Sequence, residues 1–286
     1  MDKQTFPYIS VIVIGRNEEN NLHYTFQAIK QLNYPKEKLE LTYVDTESED
    51  KSLEIASQYA DKVYAMNTGW PTAGLARNKG LLEAKYDIVH FIDGDIRIDK
   101  EYLIYAVSKI QEPGIDAVFG HLEEIDQEGI NKTMLNSHWK NRKEGYANAT
   151  GGGGTYLKEP LIAIHGYDER IKRGQETEMG FRFNEAGYKI WMMDVKMGTH
   201  NYNMRKASDF IKKQIKEGKN LTQLNFYNGS NEHFKKIKKT ARNNIIINSG
   251  LILVILLSII FNQILLLIAF IILFILYFFV RYVLIK

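Results

Sequence analysis

The first hundred residues alternate between segments with a strand pattern and segments with a helical pattern. Residues 8–14, 39–45, 62–66 and 86–93 are the four predicted strands. The first of them contains a β-branched run, Ile9 and Val11–Ile14, which is typical of a strand buried on both faces. Strands that alternate with helices at this spacing predict a mostly parallel sheet covered by helices on both faces. We therefore expect an α/β fold.

The alternation continues less regularly beyond residue 99. The further predicted elements are a helix to about residue 110, a strand over 115–120, a helix around 132–146, a helix over about 175–186 and a last strand over 188–197. We see no internal repeat, and we expect these strands and helices to form one domain, residues 1–204.

Polar residues predict where two of the helices begin. Asn17 follows the first strand and is expected to cap a helix that ends near Leu32, with Glu18 and Glu19 in the acidic first turn. Asp99 is expected to cap the helix that follows the fourth strand. The sequence thus places both predicted caps directly after predicted strands.

The C-terminal third differs from the rest in charge and hydropathy. Residues 205–242 hold 11 Lys and Arg against 3 Asp and Glu, whereas residues 1–204 hold 24 against 31. From 245 to 280 the chain is almost wholly apolar, which is about twice the length of one membrane span. We expect a basic amphipathic juxtamembrane segment over 205–243 and a transmembrane hairpin over 244–286.

The basic segment also predicts where the first domain resides. Basic residues beside a membrane segment favour the cytoplasmic face and anionic lipid. We therefore expect a membrane protein whose first domain faces the cytoplasm; a re-entrant or in-plane helix pair is the alternative to the hairpin. Nucleic acid is not an expected partner, since the first domain is acidic. The chain has no cysteine, which excludes disulfides and thiolate metal sites.

Carboxylates and other polar residues follow three of the predicted strands. They occur at residues 15–18, at 45–48 and in the Asp93-Gly94-Asp95 turn. Ligands of open parallel sheets bind beyond the carboxyl ends of the strands, so these residues should line one crevice. Paired carboxylates suit Mg²⁺ or Mn²⁺. A calcium loop is disfavoured because Arg97 and Ile98 stand where such a loop needs Asp or Asn and then Gly.

Five motifs occur in the order found in a known enzyme family: ISVIVIGRNEENNL, YVDTESEDKS, GLARNKG, FIDGD and GYDER…GQETEMGFRFNEAGY. Over about residues 8–191 the chain resembles a family 2 glycosyltransferase of the GT-A fold, a Rossmann-like sheet with flanking helices. The resemblance implies a nucleotide-diphosphate-sugar donor, linked to UDP or GDP. It also implies a divalent Mn²⁺ or Mg²⁺ and transfer with inversion at the sugar.

The resemblance assigns the donor side of the crevice. Asp45 would accept a hydrogen bond from the nucleobase of the donor, although Thr46 stands where the family often has a second Asp. Arg77 would lie near the diphosphate or base, and Asp93 near the ribose. Asp95 would bind the metal. Gly15 and Glu18 complete the set of predicted donor-binding residues.

Two glutamates are candidates for the catalytic base. Inversion in one step requires a group that takes the proton of the acceptor hydroxyl. The family supplies it from a Glu-Asp pair that opens a helix, and here the pair is Gln175-Glu176. Glu176 is therefore the predicted base and Glu178 the alternative. Either can instead be an ordinary first-turn carboxylate favoured by the helix dipole.

Glycine and histidine residues supply the remaining candidates. Gly152 and Gly153, within a run of four glycines, are expected near the bound sugar and acceptor, and a flexible loop is the alternative. His200 resembles a metal-contacting histidine of the fold and suits Mn²⁺, unless it is a lone surface histidine. His90 lies within a strand pattern and is expected to be packed in the core.

Several functions remain open at this point. The acceptor would be a glycolipid, a lipid-linked saccharide or a surface polysaccharide, and transfer to a polyprenyl phosphate is an alternative. A nucleotide-sugar-binding scaffold without catalysis is another, because residues 46 and 176 depart from the family pattern. A nucleotidyltransferase is disfavoured, since the first strand is followed by GRNEENN and not by a glycine-rich phosphate loop. A processive synthase is disfavoured because no Gln-x-x-Arg-Trp segment follows residue 191.

Overall fold

The computed structural model describes residues 6–124, 143–172, 174–201 and Lys235. The chain divides into two compact units, Met1–Gly229 and Ser230–Lys286, and the fold below belongs to the first. Within the described ranges, no helix has the length and apolar character needed to cross a membrane. Apart from Lys235, the predicted juxtamembrane segment and hairpin lie outside these ranges and stay predictions.

The described strands and helices confirm the predicted alternation in the first half of the chain. The strands are β1 Ile9–Gly15, β2 Leu39–Thr46, β3 Lys62–Met66, β4 Ile88–Asp93, β5 Ile96–Ile98, β6 Ala117–Glu124, β7 Gly145–Ala147, β8 Gly153–Leu157 and β9 Ile190–His200. The helices are α1 Leu22–Lys30, α2 Ser52–Ser57, α3 Ala73–Glu83, α4 Tyr102–Ile110, α5 Lys158–Ala163 and α6 Gln175–Glu185, with a short 3₁₀ turn at Lys36–Lys38.

The nine strands of the described ranges form one sheet in the order β3-β2-β1-β4-β8-β6-β9-β5, with β7 paired to β9. The β1, β2, β3 and β4 strands are parallel to their neighbours in this half of the sheet. The β8 strand enters between β4 and β6 and is antiparallel to both. The β6–β9 pair is parallel, and β5 and β7 are antiparallel to β9. The prediction of a mostly parallel sheet is therefore wrong for the second half, and the sheet is mixed.

Close packing of α3 on β1 fixes the centre of the sheet. The apolar residues of β1 are buried on both faces, including Ile12 at 0% exposure, and each such side chain stabilises the fold by roughly 1.5–3 kcal/mol. A Cβ atom on Gly80 would lie 2.3 Å from Cγ2 of Ile12. Only glycine at this position lets α3 approach β1 so closely, and this approach brings the residues of α3 to the carboxyl edge of the sheet.

The predicted cap of the first helix is wrong. Helix α1 begins at Leu22, and neither predicted acidic residue lies in its first turn. Asn17 has a φ of +56°, in the left-handed region that Asn tolerates, and its Oδ1 accepts the amide of Glu49 at 2.8 Å. The amide of Glu18 donates to Ser52 at 2.8 Å. The loop after β1 is thus held by the loop after β2, and this tertiary pairing replaces a cap.

Two further short elements differ from the sequence prediction. Residues Ile96–Ile98 form β5, which pairs with β9, so the segment after Asp95 is a strand before it turns. The carboxylate of Asp99 accepts the amide of Glu101 at 3.0 Å in the turn before α4. The N-cap position of α4 is Glu101, so the cap predicted at Asp99 is wrong by two residues. The helix predicted around 132–146 lies mainly outside the described residues, and its predicted end, Tyr146, lies in β7.

Candidate active site

The carboxyl ends of three parallel strands meet at one edge of the sheet. In the register of the strands, Gly15 lies opposite Asp45, and Ile14 lies opposite Asp93. The structure therefore brings the predicted donor-side residues of β1, β2 and β4 together. Their meeting follows from the parallel register alone, since corresponding ends of neighbouring parallel strands coincide.

Arg77 lies at the centre of the site and is 1% exposed. Its Nη2 donates to Oδ1 of Asp93 at 2.7 Å. Its Nη1 lies 2.9 Å from Oε1 of Glu176, in an ion pair without the alignment of a hydrogen bond. Burial opposes the charge, but Glu176 and Asp93 outweigh it and raise the pKa of Arg77. The guanidinium thus joins helix α3 to strand β4 and helix α6.

Asp93 is crowded by other acidic groups. Burial raises the pKa of Asp93 above its ordinary value, Arg77 opposes this shift, and the charges of Asp95 and Glu176 add to it. A Cβ atom on Gly152 would lie 2.9 Å from Oδ2 of Asp93. The predicted glycine segment therefore passes directly against the predicted donor carboxylate. A third of the Asp93 side chain is exposed, so a ligand can reach it.

Asp95 and His200 form a second pair beside Asp93. The antiparallel register of β5 with β9 places Ile96 opposite His200. The Oδ2 atom of Asp95 lies 3.0 Å from Nε2 of His200. Burial and then the charge of Asp95 raise the pKa of Glu18 to about 7, although a hydrogen bond from Asn21 opposes this. The predicted metal residues are therefore neighbours, with a further carboxyl close by.

The side chains of Asp95 and His200 are suitable ligands for a divalent cation. Across the described residues, no group of three or more His, Asp or Glu side chains is arranged to hold a metal ion. Magnesium and manganese sites commonly use one or two carboxylates and take their remaining ligands from substrate phosphates and water. The adjacent oxygen and imidazole nitrogen of Asp95 and His200 fit this description, and an imidazole ligand suits Mn²⁺.

The carboxylate of Asp45 already accepts hydrogen bonds from neighbouring residues. Its side chain is buried, Oδ1 accepts the hydroxyl of Tyr43 at 3.2 Å, and Oδ2 accepts the amide of Ser48 at 2.8 Å. A Cβ atom on Gly15 would lie 2.9 Å from the same tyrosine hydroxyl. Asp45 therefore fixes the turn after β2, and its predicted hydrogen bond with the nucleobase of the donor stays a prediction.

The two candidate bases have different surroundings. About a fifth of the Glu176 side chain is exposed, and its partner is Arg77. Glu178 is 3% exposed, and its two oxygens accept from Nε and Nη2 of Arg182 at 2.6 and 2.7 Å. Arg182 also donates to the carbonyl of Gly166 at 2.7 Å. Glu178 thus anchors α6 to the preceding loop, and Glu176 is the more exposed of the two candidates.

Sequence reasoning missed the role of Asn78. Its Nδ2 donates to the carbonyl of Tyr167 at 2.8 Å, and its Oδ1 accepts the amide of Tyr167 at 2.8 Å. Gly166 has a φ of +63°, and a Cβ atom there would lie 2.3 Å from Oδ1 of Asn78. The GLARNKG motif contained a signal for this role. Asn78 follows Arg77 in α3, and both side chains contact the segment that leads into α6.

A family model decides the class of protein. Residues 10–162, just over half of the chain, match the model of glycosyl transferase family 2. The chain belongs to this family. It is a glycosyltransferase, as the order of its motifs predicted.

Two curated proteins illustrate how this family 2 glycosyltransferase is related to others. Glycosyltransferase AglE of Haloferax volcanii is 27% identical over 229 residues, which are 77% of this chain and 75% of that protein. Poly(ribitol-phosphate) β-N-acetylglucosaminyltransferase TarS of Staphylococcus aureus is 30% identical over 132 residues, which are 44% of this chain and 23% of that protein. The similarity to AglE therefore extends along most of both chains.

Solved structures agree with a GT-A-like fold. Mannosyltransferase PcManGT from Pyrobaculum calidifontis, in complex with GDP-Man and Mn²⁺, superposes with a TM-score of 0.63 at 18% identity over 82% of this chain and 68% of that chain. S. aureus TarS 1–349 in complex with UDP-GlcNAc gives 0.59 at 19% identity over 82% and 72%. At this level of identity the likeness is one of fold.

Proposed function

We propose that this glycosyltransferase moves a sugar from a nucleotide-diphosphate donor to a membrane-associated acceptor, with inversion and with Mn²⁺ or Mg²⁺. The observation that carries the proposal is the contact of Arg77 with both Asp93 and Glu176 at the carboxyl edge of the sheet. It joins a donor-side carboxylate and a candidate base within one connected group. Asp95, which is two residues along the chain from Asp93, pairs with His200.

The chemistry required of the protein is modest. The oxygen of the acceptor hydroxyl forms a bond to the anomeric carbon of the sugar. The bond from that carbon to the phosphate oxygen breaks, and its electron pair leaves with the nucleoside diphosphate. Glu176 takes the proton of the hydroxyl as general base, and Arg77 stabilises the ionised carboxylate beforehand. Attack opposite the leaving group gives inversion.

Asp95 and His200 would hold the cation. A divalent ion bound there would offset the negative charge that develops on the departing diphosphate. Support comes from the chemistry of these two side chains, whose Oδ2 and Nε2 atoms lie 3.0 Å apart. The PcManGT complex, which contains Mn²⁺, supports the choice of metals to test.

The solved relatives guide the choice of donor. These structures are complexes with UDP, UDP-GlcNAc or GDP-Man, so UDP- and GDP-linked sugars are the first donors to test. A membrane-associated acceptor is supported by the basic residues over 205–242 and the apolar residues over 245–280. A polyprenyl phosphate is the alternative acceptor. Because it is already anionic, it would need little from Glu176.

A thermal-shift panel tests the proposed function. Wild type and Asp95→Ala are melted with UDP-glucose, UDP-GlcNAc, GDP-mannose and the free nucleotides, with and without Mn²⁺. We expect one nucleotide series to raise the midpoint of the wild type only when Mn²⁺ is present, and Asp95→Ala to lose that shift. Absence of any shift in the wild type would contradict the proposal. Tight binding without release of nucleotide would favour a non-catalytic scaffold.

A further inference from the structure

Two consecutive residues of α3 hold the segment that leads into α6. Arg77 reaches Glu176 in the first turn of α6. Asn78 makes two backbone hydrogen bonds to Tyr167, in the loop before that helix. Helix α3 therefore contacts the 166–176 segment at both of its ends, and these contacts do not involve a ligand.

The surroundings of Arg77 leave its guanidinium little capacity to bind a donor. It is 1% exposed, one nitrogen donates to Asp93, and another is paired with Glu176. The ring of Tyr167 lies 5.4 Å from its Cζ. A donor phosphate could reach the guanidinium only if Arg77 left this buried position and its two carboxylates, which is costly because an unpaired buried charge is strongly unfavourable.

The same contacts explain how two carboxylates can lie close together. Without a cation between them, Asp93 and Glu176 would repel each other, and the exposed edge of the site would let Glu176 turn outward. Arg77 offsets both charges at once and fixes where the Glu176 oxygens lie relative to Asp93. Arg77, which lies on a third element, α3, thus sets the distance between the donor-side carboxylate of Asp93 and the candidate base Glu176.

We propose that Arg77 is a positioning residue that orients Glu176 against the donor-side carboxylate, with Asn78 holding the adjoining loop, and that it does not itself bind the donor. This inference rests on the proposed function, since it gives Glu176 the role of base. It replaces the donor contact that the sequence motif implied for Arg77.

A double-mutant cycle on nucleotide release tests the proposal. Wild type, Arg77→Met, Glu176→Gln and the double variant are assayed for release of UDP from UDP-GlcNAc or GDP from GDP-mannose, at saturating donor with Mn²⁺. A positioning residue acts through Glu176, so we expect each single variant to lower kcat by about 10²-fold or more. The double variant should be within about threefold of Glu176→Gln.

Multiplied losses in the double variant would overturn the proposal, because Arg77 would then act independently of Glu176. So would an Arg77→Met protein whose kcat is normal and whose KM for donor alone rises. Arg77→Lys, which keeps the charge, should recover part of kcat. Lys79→Met is the matched control on the same helix, because Lys79 pairs with Glu83 in its own helix, and it should retain wild-type kcat.

Thermal unfolding of the same four proteins gives a readout independent of turnover. If Arg77 and Glu176 act as a pair, the fall in midpoint of the double variant is smaller than the two single falls added together. Additive falls would overturn the positioning role even if the assayed donors prove wrong. A wild type that releases no nucleotide from any UDP- or GDP-linked sugar tested, while its midpoints are non-additive, would contradict the proposed function and leave the positioning of Glu176 supported.

Discussion

The guanidinium of Arg77 binds the carboxylate of Asp93 at 2.7 Å through one nitrogen and lies 2.9 Å from Glu176 through another. This relationship connects the end of a core strand to the first turn of a helix far along the chain. A buried arginine is stable here because both neighbours are anionic. The site is thus already assembled in the fold, which reduces the reorganisation needed when a substrate binds.

Replacement of Glu178 should affect stability rather than turnover. Glu178→Gln removes the charge from a buried two-bond pair with Arg182, so we expect the free energy of unfolding to fall by about 3 kcal/mol. Denaturant unfolding measures this loss. At a temperature where the variant remains folded, its nucleotide-release kcat should be within about threefold of wild type. A normal stability with a large loss of kcat would make Glu178 the base instead.

Two adjacent glycines should respond differently to alanine. At Gly152 the new Cβ would meet the Asp93 carboxylate, a side chain that can move, so Gly152→Ala should lower donor turnover with little change in stability. At Gly153 the new Cβ would lie 2.9 Å from the backbone carbonyl of Phe91. Gly153→Ala should therefore lower the free energy of unfolding by about 1–3 kcal/mol. Turnover assays and denaturant titrations of both variants check this pair, and equal losses of stability would contradict it.

The core histidine predicts a pH dependence of stability. His90 is fully buried, hydrogen-bonded to Thr155 at 3.0 Å, and burial lowers its pKa to about 3. Below an unfolded pKa of about 6.5 the unfolded chain binds a proton that the folded chain does not. The stabilising contribution of neutral His90 is thus fully present above about pH 6.5. As the pH falls from about 6.5 towards 3, the free energy of unfolding falls by up to about 1.4 kcal/mol per pH unit.

A His90→Gln variant isolates that contribution. Its free energy of unfolding should depend less steeply on pH between 6.5 and 4 than that of wild type, whatever its stability at neutral pH. The exposed His165, replaced by Asn, is the matched control and should keep the wild-type slope. Parallel curves for wild type and His90→Gln would show that His90 is not the neutral buried group described here.

Metal dependence should follow the Asp95–His200 pair. Calorimetric titration with nucleotide in Mn²⁺ should give a Kd at least about tenfold weaker for Asp95→Ala and for His200→Ala than for wild type. Removal of Mn²⁺ with EDTA should bring wild type to the same weak binding. Asp87→Ala, at the exposed amino end of the β4 region, is the control and should bind normally. Equal affinity of all variants with and without Mn²⁺ would exclude this site.

The first half of the fold could be predicted because its signals are local. Unbroken apolar runs such as Val11–Ile14 specify buried strands, and parallel strands then bring their ends together. The insertion of β8 between β4 and β6 could not be predicted, because an antiparallel strand with few side chains has the same local sequence pattern as a loop. Asn17 was misjudged for a related reason: its partner is the amide of Glu49 in another loop.

Sequence identified the residue types of the site better than their partners. Arg77, Asp93 and Glu176 were all named as candidates, but no local pattern shows that one arginine joins the two carboxylates. Glu178 resembles Glu176 in sequence, and only the position of Arg182 separates a stabilising pair from a candidate base. Partners of this kind are set by tertiary packing, which motif order does not encode.

Nucleotide release by Glu176→Gln at saturating donor tests the central claim most directly. We expect kcat for transfer to a hydroxyl acceptor or water to fall by about 10²–10⁴-fold, with nucleotide affinity unchanged. Glu159→Gln, in the first turn of α5, is the matched control and should retain wild-type kcat. Full activity of Glu176→Gln, with Mn²⁺ and a donor that wild type uses, would contradict the assignment of this site to proton abstraction from a hydroxyl.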